Sequence, residues 1–265
     1  MIKIAVLGPE YSYSHIIALK AFPGSDLLLC RTIPEIFDLV SKKQVDSGIA
    51  PIENLIHGSV RESLTSLQKY KVKINKTLDF PIALCIASKS NNFTKIISKQ
   101  EALSQCSNFI KSANKSTEEC PSTSRAMEIA STDSSYAAIG SKEAAKKFNL
   151  IIIKDNIGDN SDNITRFILI SLNESIPKEK ARTSMMIIPK KDKPGLLFEI
   201  LSIFKDNNIN LTKIESIPTA KKLGEYEFFI EIEGSMAENR IKSALSSLQK
   251  IHAVYSFGSY AAEII

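Results

Sequence analysis

The sequence predicts an α/β protein in two units, a large one of alternating strands and helices and a smaller one with its own order of elements. Three observations carry that prediction. Short apolar runs alternate with amphipathic stretches through the first two thirds of the 265 residues, a pattern of strands joined by helices in a largely parallel sheet. A polar segment without apolar period, SLNESIPKEKARTS at 171–184, then breaks the alternation and reads as a linker. Beyond it the order becomes strand, helix, strand, strand, helix, strand, which is ferredoxin-like.

The elements follow in order. IKIAVLG (2–8), SGIAPI (47–52), FPIALCIAS (80–88), YAAIG (136–140), LIIIK (150–154) and TRFILI (165–170) read as buried strands, while VRESLTSLQKY (60–70) and TSRAMEIAS (123–131) show helical spacing. In the second unit, SMMIIP, INLTKIESI, EYEFFIEIE and AVYSFGSY read as strands. PGLLFEILSIFKDN and AENRIKSALSSLQ read as helices.

Composition narrows the class. Hydrophobic residues at 43% and charged ones at 24% describe an ordinary globular chain. The net charge of +5 comes from scattered lysines; without a basic stripe interleaved with aromatics, nucleic acid is excluded as a partner and a small anion suits better. Cys30, Cys85, Cys106 and Cys120 form no CxxC pair and have no histidine beside them, which argues for reduced thiols in the cytosol and against zinc. The chain opens directly on a strand pattern, so neither a signal peptide nor a membrane span is expected.

Several strands end in a small or polar turn that opens a helix: LGPEYSYSH (7–15), APIENLIHGSV (50–60), CPSTSRA (120–126) and IGSKEAA (139–145). Ligands of parallel α/β sheets bind beyond such strand ends, and helix starts favour anions. Ser12, Asn54, Ser59, Ser122 and Thr123 are donors at these places, and each serine or threonine also suits an N-cap. A further site is marked by DNITRFILI (162–170), where Thr165 and Arg166 stand at the entrance of a buried strand and need partners. No GxSxG, Walker, GxGxxG or HExxH motif occurs. Of the three histidines, His15 and His57 read as structural or exposed before catalytic, and Asp155, Asp159 and Asp162 lack EF-hand spacing. No cofactor and no metal are expected.

GPE with YSH (8–10, 13–15), PIEN with GSV (51–54, 58–60), ALSQC (102–106), STSRAMEIA (122–130) and NITRF (163–167), in this order along the chain, lead to a family. The chain resembles a prephenate dehydratase fused to an ACT regulatory domain, over essentially its whole length. The resemblance implies a catalytic domain at 1–178, folded like a two-lobed periplasmic binding protein. Its lobe one would span about 1–79 plus 163–178 and its lobe two about 80–162, with an ACT domain at 184–265. It implies loss of water and carbon dioxide from prephenate to give phenylpyruvate, without a cofactor. Thr165 matches the family's essential threonine and would hydrogen-bond the leaving ring hydroxyl. Ser12, Asn54, Ser122 and Thr123 would bind carboxylate and keto oxygens. Arg166 would fix a substrate carboxylate or brace the site, and Phe167 would wall the ring or pack in the core.

GLLFEILSIFKDNNINLTKIESIP (195–218) is similar to the family's phenylalanine-binding half. It implies Gly195, Leu196, Asn210, Leu211, Glu215 and Ser216 as effector residues, with phenylalanine held between ACT domains of a homodimer or homotetramer. Some positions depart from the family pattern. Tyr11-Ser12 replaces Gly-Thr, Leu55 replaces a serine, Lys99 replaces a histidine, and Ile217 replaces the arginine of Glu-Ser-Arg-Pro. Arogenate, the amino analogue, is therefore the competing substrate. A non-catalytic two-lobed binder of a small dicarboxylate is the competing class.

Overall fold

The computed structural model describes residues 1–175, 177, 181–219 and 225–265. The first lobe comprises β1 (Lys3–Leu7), α1 (Tyr13–Ala21), β2 (Asp26–Cys30), α2 (Ile33–Ser41), β3 (Ser47–Asn54), β4 (Gly58–Ser59), α3 (Arg61–Tyr70) and β5 (Lys73–Pro81). The second lobe comprises β6 (Cys85–Ser88), β7 (Lys95–Ser98), α4 (Gln100–Gln105), α5 (Ser107–Ala113), β8 (Ser116–Glu119), α6 (Thr123–Thr132), β9 (Tyr136–Gly140), α7 (Lys142–Lys147) and β10 (Ile151–Lys154). The chain then re-enters the first lobe as β11 (Ile164–Ser171).

Local chemistry accounts for the elements. In α2, Ile33, Ile36, Phe37 and Val40 fall on one buried face, and the Thr32 side chain caps the helix by accepting the Glu35 N–H. In β1, Ile4 and Val6 enter the core beneath α1, whereas Ala5 faces the core beneath α2. This is the period-two alternation of a strand covered on both faces.

The sheets are mixed, not largely parallel as the alternation suggested. β1 pairs in parallel with β2 and β3, and β7 with β8 and β9. β11 runs antiparallel to β3 and β5, and β6 antiparallel to β9 and β10. β11 and β6 are the strands by which the chain enters each lobe from the other. Entry is from the cleft, where the remaining strands end, so these two must run in the opposite sense. The crossing segments bond to each other: Ile82 N–H donates to Asn163 O at 2.8 Å and Ile157 N–H to Leu84 O at 2.9 Å. FPIALCIAS is thus two strands with the first crossing between them, and LIIIK is a largely exposed edge strand.

The last unit comprises β12 (Ala181–Pro189), α8 (Leu196–Asp206), β13 (Leu211–Pro218), β14 (Tyr226–Glu233), α9 (Asn239–Ile251) and β15 (His252–Ile264). Of the expected linker, positions 176 and 178–180 lie outside the described residues, and 181–184 already belong to β12. Met185, Ile187, Ile200, Phe204, Ile230, Ile241 and Leu248 form this unit's own core under the two helices. The unit is nonetheless joined to the first lobe. Ala261–Ile264 of β15 pair in parallel with Lys76–Asp79 of β5. One sheet therefore runs in the order β13-β14-β12-β15-β5-β11-β3-β1-β2. Its helix-free face in the last unit, with Met186, Ile217, Phe229 and Tyr260, packs in one cluster with Ile168 and Ile170 of β11. Among the described residues no helix is long and apolar enough to cross a membrane, and all four cysteines are free and buried.

Candidate active site

Thr165 and Arg166 are adjacent on β11, so they face opposite sides of the sheet. Thr165 shares its side with Phe167, which is buried beneath α1 among Ile4, Val6, Ile16 and Phe80. Arg166 shares its side with Ile168 and Ile170, which face the last unit.

On the first side, Asn54 at the end of β3 lies opposite Thr165. Asn54 Oδ1 accepts the N–H groups of Ile56 and His57, each at 3.0 Å. That turn fixes which end of the amide is oxygen. Asn54 Nδ2 therefore donates to Thr165 Oγ1 and Asn163 Oδ1, both at 2.9 Å. The polarity runs on: Asn163 Nδ2 donates to Gln105 Oε1 at 3.0 Å, and Gln105 Nε2 lies 2.8 Å from His57 Nε2. Since the Gln105 amide nitrogen is the donor, His57 Nε2 is its acceptor in this chain of bonds. Gln105 comes from α4, so the chain ties the two lobes across the cleft. Thr165 Oγ1 has one lone pair occupied by an N–H, and its own O–H has no acceptor among the described residues.

The other lobe contacts close the cleft around this point. Tyr13 Oη donates to Ala83 O at 2.8 Å, Ser124 Oγ donates to Glu10 O at 2.5 Å, and Lys20 pairs with Glu143 at 3.0 Å. The β1–α1 turn is tight. Tyr11 has φ 59°, its N–H donates to His15 Nδ1 at 2.9 Å, and its ring packs on the core of the second lobe. Burial holds the His15 pKa below its ordinary value against the opposing charge of Glu10. His15 is thus the neutral acceptor that stabilises the turn.

Ser12 and Ser122 have the N-cap bonds that their residue type favours: Ser12 accepts the His15 N–H and Ser122 the Arg125 N–H. Thr123 is the first residue of α6. The starts of α1 and α6 come from different lobes and approach each other at the Ser124–Glu10 contact. Helix starts carry N–H groups without intrahelical partners, which favour anions.

On the opposite side, Arg166 grips Asp79 through Nε and Nη2 at 2.7 and 2.9 Å. These bonds are the main cause of a guanidinium pKa raised above its already high value. Glu53 lies 3.7 Å from Arg166 and 2.6 Å from Lys213 of β13. The arginine is therefore engaged away from Thr165, in the bracing geometry rather than a free one. Phe167 is packed in the core at 2% exposure.

The structure does not bring the six effector residues together within one chain. Gly195, with φ 80°, precedes α8 and Asn210 follows it, a separation of roughly 17 Å along a helix of this length. Leu196, the first residue of α8, is buried, whereas Glu215 and Ser216 lie on β13 at the edge of the sheet. Reasoning from single residues passed over Gln105, Asn163, Asp79 and Lys213. Gln105 and Asn163 were inside the motif strings ALSQC and NITRF, but only the fold shows which letters of a motif point at the site.

Residues 4–175 match the prephenate dehydratase family and residues 191–249 the ACT domain family. The chain is 38% identical over 266 residues to a bifunctional chorismate mutase/prephenate dehydratase of Aquifex aeolicus, covering 98% of this chain and 73% of that protein. It is 38% identical over 229 residues to a prephenate dehydratase of Methanocaldococcus jannaschii, covering 83% and 82%. The prephenate dehydratase of Arthrobacter aurescens, solved in complex with L-Phe, superposes with a TM-score of 0.89 at 29% identity, covering 98% of this chain and 90% of that one. From the cleft and these likenesses together, the chain belongs to the prephenate dehydratase family and includes an ACT domain.

Proposed function

We propose that the protein converts prephenate to phenylpyruvate, with Thr165 as the residue that touches the departing group. Prephenate loses its ring carboxylate as carbon dioxide and the electron pair of that bond enters the ring. The ring becomes aromatic and its hydroxyl leaves, taking one proton from solvent to depart as water. The aromatic product supplies the driving force, so the protein has to hold the dianion and aid one departure. Its own groups suffice for this.

The observation that carries the reading is the 2.9 Å bond from Asn54 Nδ2 to Thr165 Oγ1. It orients the Thr165 O–H outward as a donor to the leaving hydroxyl. A threonine is too weak an acid to yield its proton outright at neutral pH, so it polarises or relays. The starts of α1 and α6, with Ser12, Ser122 and Thr123, receive the carboxylates and the keto oxygen. Arg166, paired to Asp79, braces the strand from behind, and Phe167 supports the apolar floor.

The ACT domain takes phenylalanine as a feedback effector. Gly195 and Asn210 stand at opposite ends of α8, so a site using both requires a second copy of the chain, which supports a homodimer or homotetramer joined through ACT domains. Exposed Phe198, Leu197 and Ile214 supply an apolar surface there. The cysteines, free and buried, fit a cytoplasmic protein.

The test is a steady-state assay on prephenate and on arogenate, with and without phenylalanine. Turnover of prephenate that falls as phenylalanine rises supports the whole reading. Turnover of arogenate alone moves the substrate to the amino analogue, and turnover of neither returns the protein to the binders.

A further inference from the structure

Glu53 sits between two cations that belong to different domains. Its Oε2 lies 3.7 Å from Arg166 Nη1, and its Oε1 lies 2.6 Å from Nζ of Lys213. Lys213 is in β13, the first strand in the order of the large sheet, and Glu53 is in β3, the seventh. Six strand spacings in a flat sheet would separate them by roughly 29 Å. They meet because the sheet coils over on itself, so that Ile217 and Phe229 share one core cluster with Ala50, Ile52 and Ile168. The Lys213 side chain is 14% exposed, so its charge is largely removed from water and depends on its carboxylate partners. Besides Glu53 it has Glu215 at 3.9 Å.

The next residue after Glu53 is Asn54, which orients Thr165. We propose that Lys213 is a positioning residue for the dehydration site: its ammonium anchors the Glu53 carboxylate, and that anchor sets the end of β3 from which Asn54 reaches Thr165. This rests on the dehydratase reading and adds to it a residue supplied by the ACT domain. The bond is intramolecular and spans 160 positions of sequence. Glu53 and Arg166 lie on the face of the sheet opposite Thr165, so Lys213 acts on the threonine through Glu53 and the end of β3. Its contribution therefore falls on the geometry of the reacting group and leaves substrate affinity aside. Lys213 also lies on the strand that carries Leu211, Glu215 and Ser216, so a movement of β13 reaches Thr165 through one ion pair, one peptide unit and the Asn54 hydrogen bond.

The experiment is a double-mutant cycle in the full chain, K213M with E53Q, read as kcat and KM for prephenate. K213M is expected to lower kcat about tenfold with KM little changed, a size usual for residues in direct contact. Added to E53Q, it is expected to cost less than about twofold more, because the partner is already gone. K213Q, which retains polarity at the site, is read in the same way if the methionine variant does not fold. A kcat preserved in K213M, a rise in KM alone, or losses that multiply in the double variant each overturn the positioning role. The wild-type assay separates this from the larger reading. A wild type that does not turn prephenate over refutes the dehydratase and the positioning role together. An active wild type with an indifferent K213M refutes the positioning role alone.

Discussion

Asn54 donates to Thr165 at 2.9 Å while its own oxygen is held by two backbone N–H groups. The amide cannot turn over without losing both, so Thr165 always meets a donor on this side. Replacing Asn54 with aspartate puts a carboxylate where the donor was and leaves Thr165 to satisfy that oxygen instead of the substrate. N54D is expected to lower kcat by about 10²–10³, the loss found when one oriented donor is removed from a reacting centre. Steady-state kinetics on prephenate check it.

Thr165→Ala removes the hydroxyl itself. Turnover is expected to fall by about 10²–10⁴, the contribution of a positioned proton donor. The thermal midpoint should barely move, because Asn54 retains Asn163 and its two backbone partners. A small loss of turnover, or a large loss of stability, would sink the role given to the residue.

Asp79→Asn gives the half-buried Arg166 a neutral partner in place of its bidentate carboxylate, with Glu53 left at 3.7 Å. Stability is expected to fall by about 1.5–3 kcal/mol, the range for hydrogen bonds to charged groups. The urea midpoint reports it, with the slope of the transition unchanged.

Stability should also depend on pH through His15. Burial depresses its folded pKa below 6.5, so near that value the unfolded chain binds a proton that the folded one refuses. Stability is then complete above 6.5 and declines as pH falls toward the folded pKa. His252, whose two ring nitrogens are buried without a hydrogen-bond partner among the described residues, is shifted in the same direction. The urea midpoint is expected to be lower at about pH 5.5 than at about pH 7.5, and H15Q should flatten part of that slope.

Gly48 lies where α2 touches the sheet. A Cβ there would stand 2.6 Å from Ile36 Cγ2, 3.1 Å from Val40 Cγ2 and 3.2 Å from Ile170 Cγ1. G48A is expected to cost about 1–3 kcal/mol, the usual penalty of overpacking, and denaturant unfolding measures it.

The local features were legible in the sequence. Apolar runs marked strands, serine and threonine marked helix starts, and Thr165 stood out as a hydroxyl at the mouth of a buried strand. Strand direction was not legible, because β6 and β11 look like any apolar run, and only the two cleft crossings reverse them. The partners of Arg166 were hidden for a related reason. Asp79 is 87 positions away, and nothing in the neighbourhood of either residue marks the pairing. Tyr11 read as a departure from the family's Gly-Thr. The fold shows it seated on the second lobe's core, with its N–H held by His15.

The parallel pairing of Ala261–Ile264 with Lys76–Asp79 has a bearing on any attempt to study the catalytic part in isolation. Without the last strand, β5 would present an open row of N–H and C=O groups to solvent, next to the residues that hold Arg166. Bare strand edges of this kind recruit other chains. A catalytic fragment cut before β12 is therefore expected to self-associate, and its solubility would reflect the missing cover more than the enzyme.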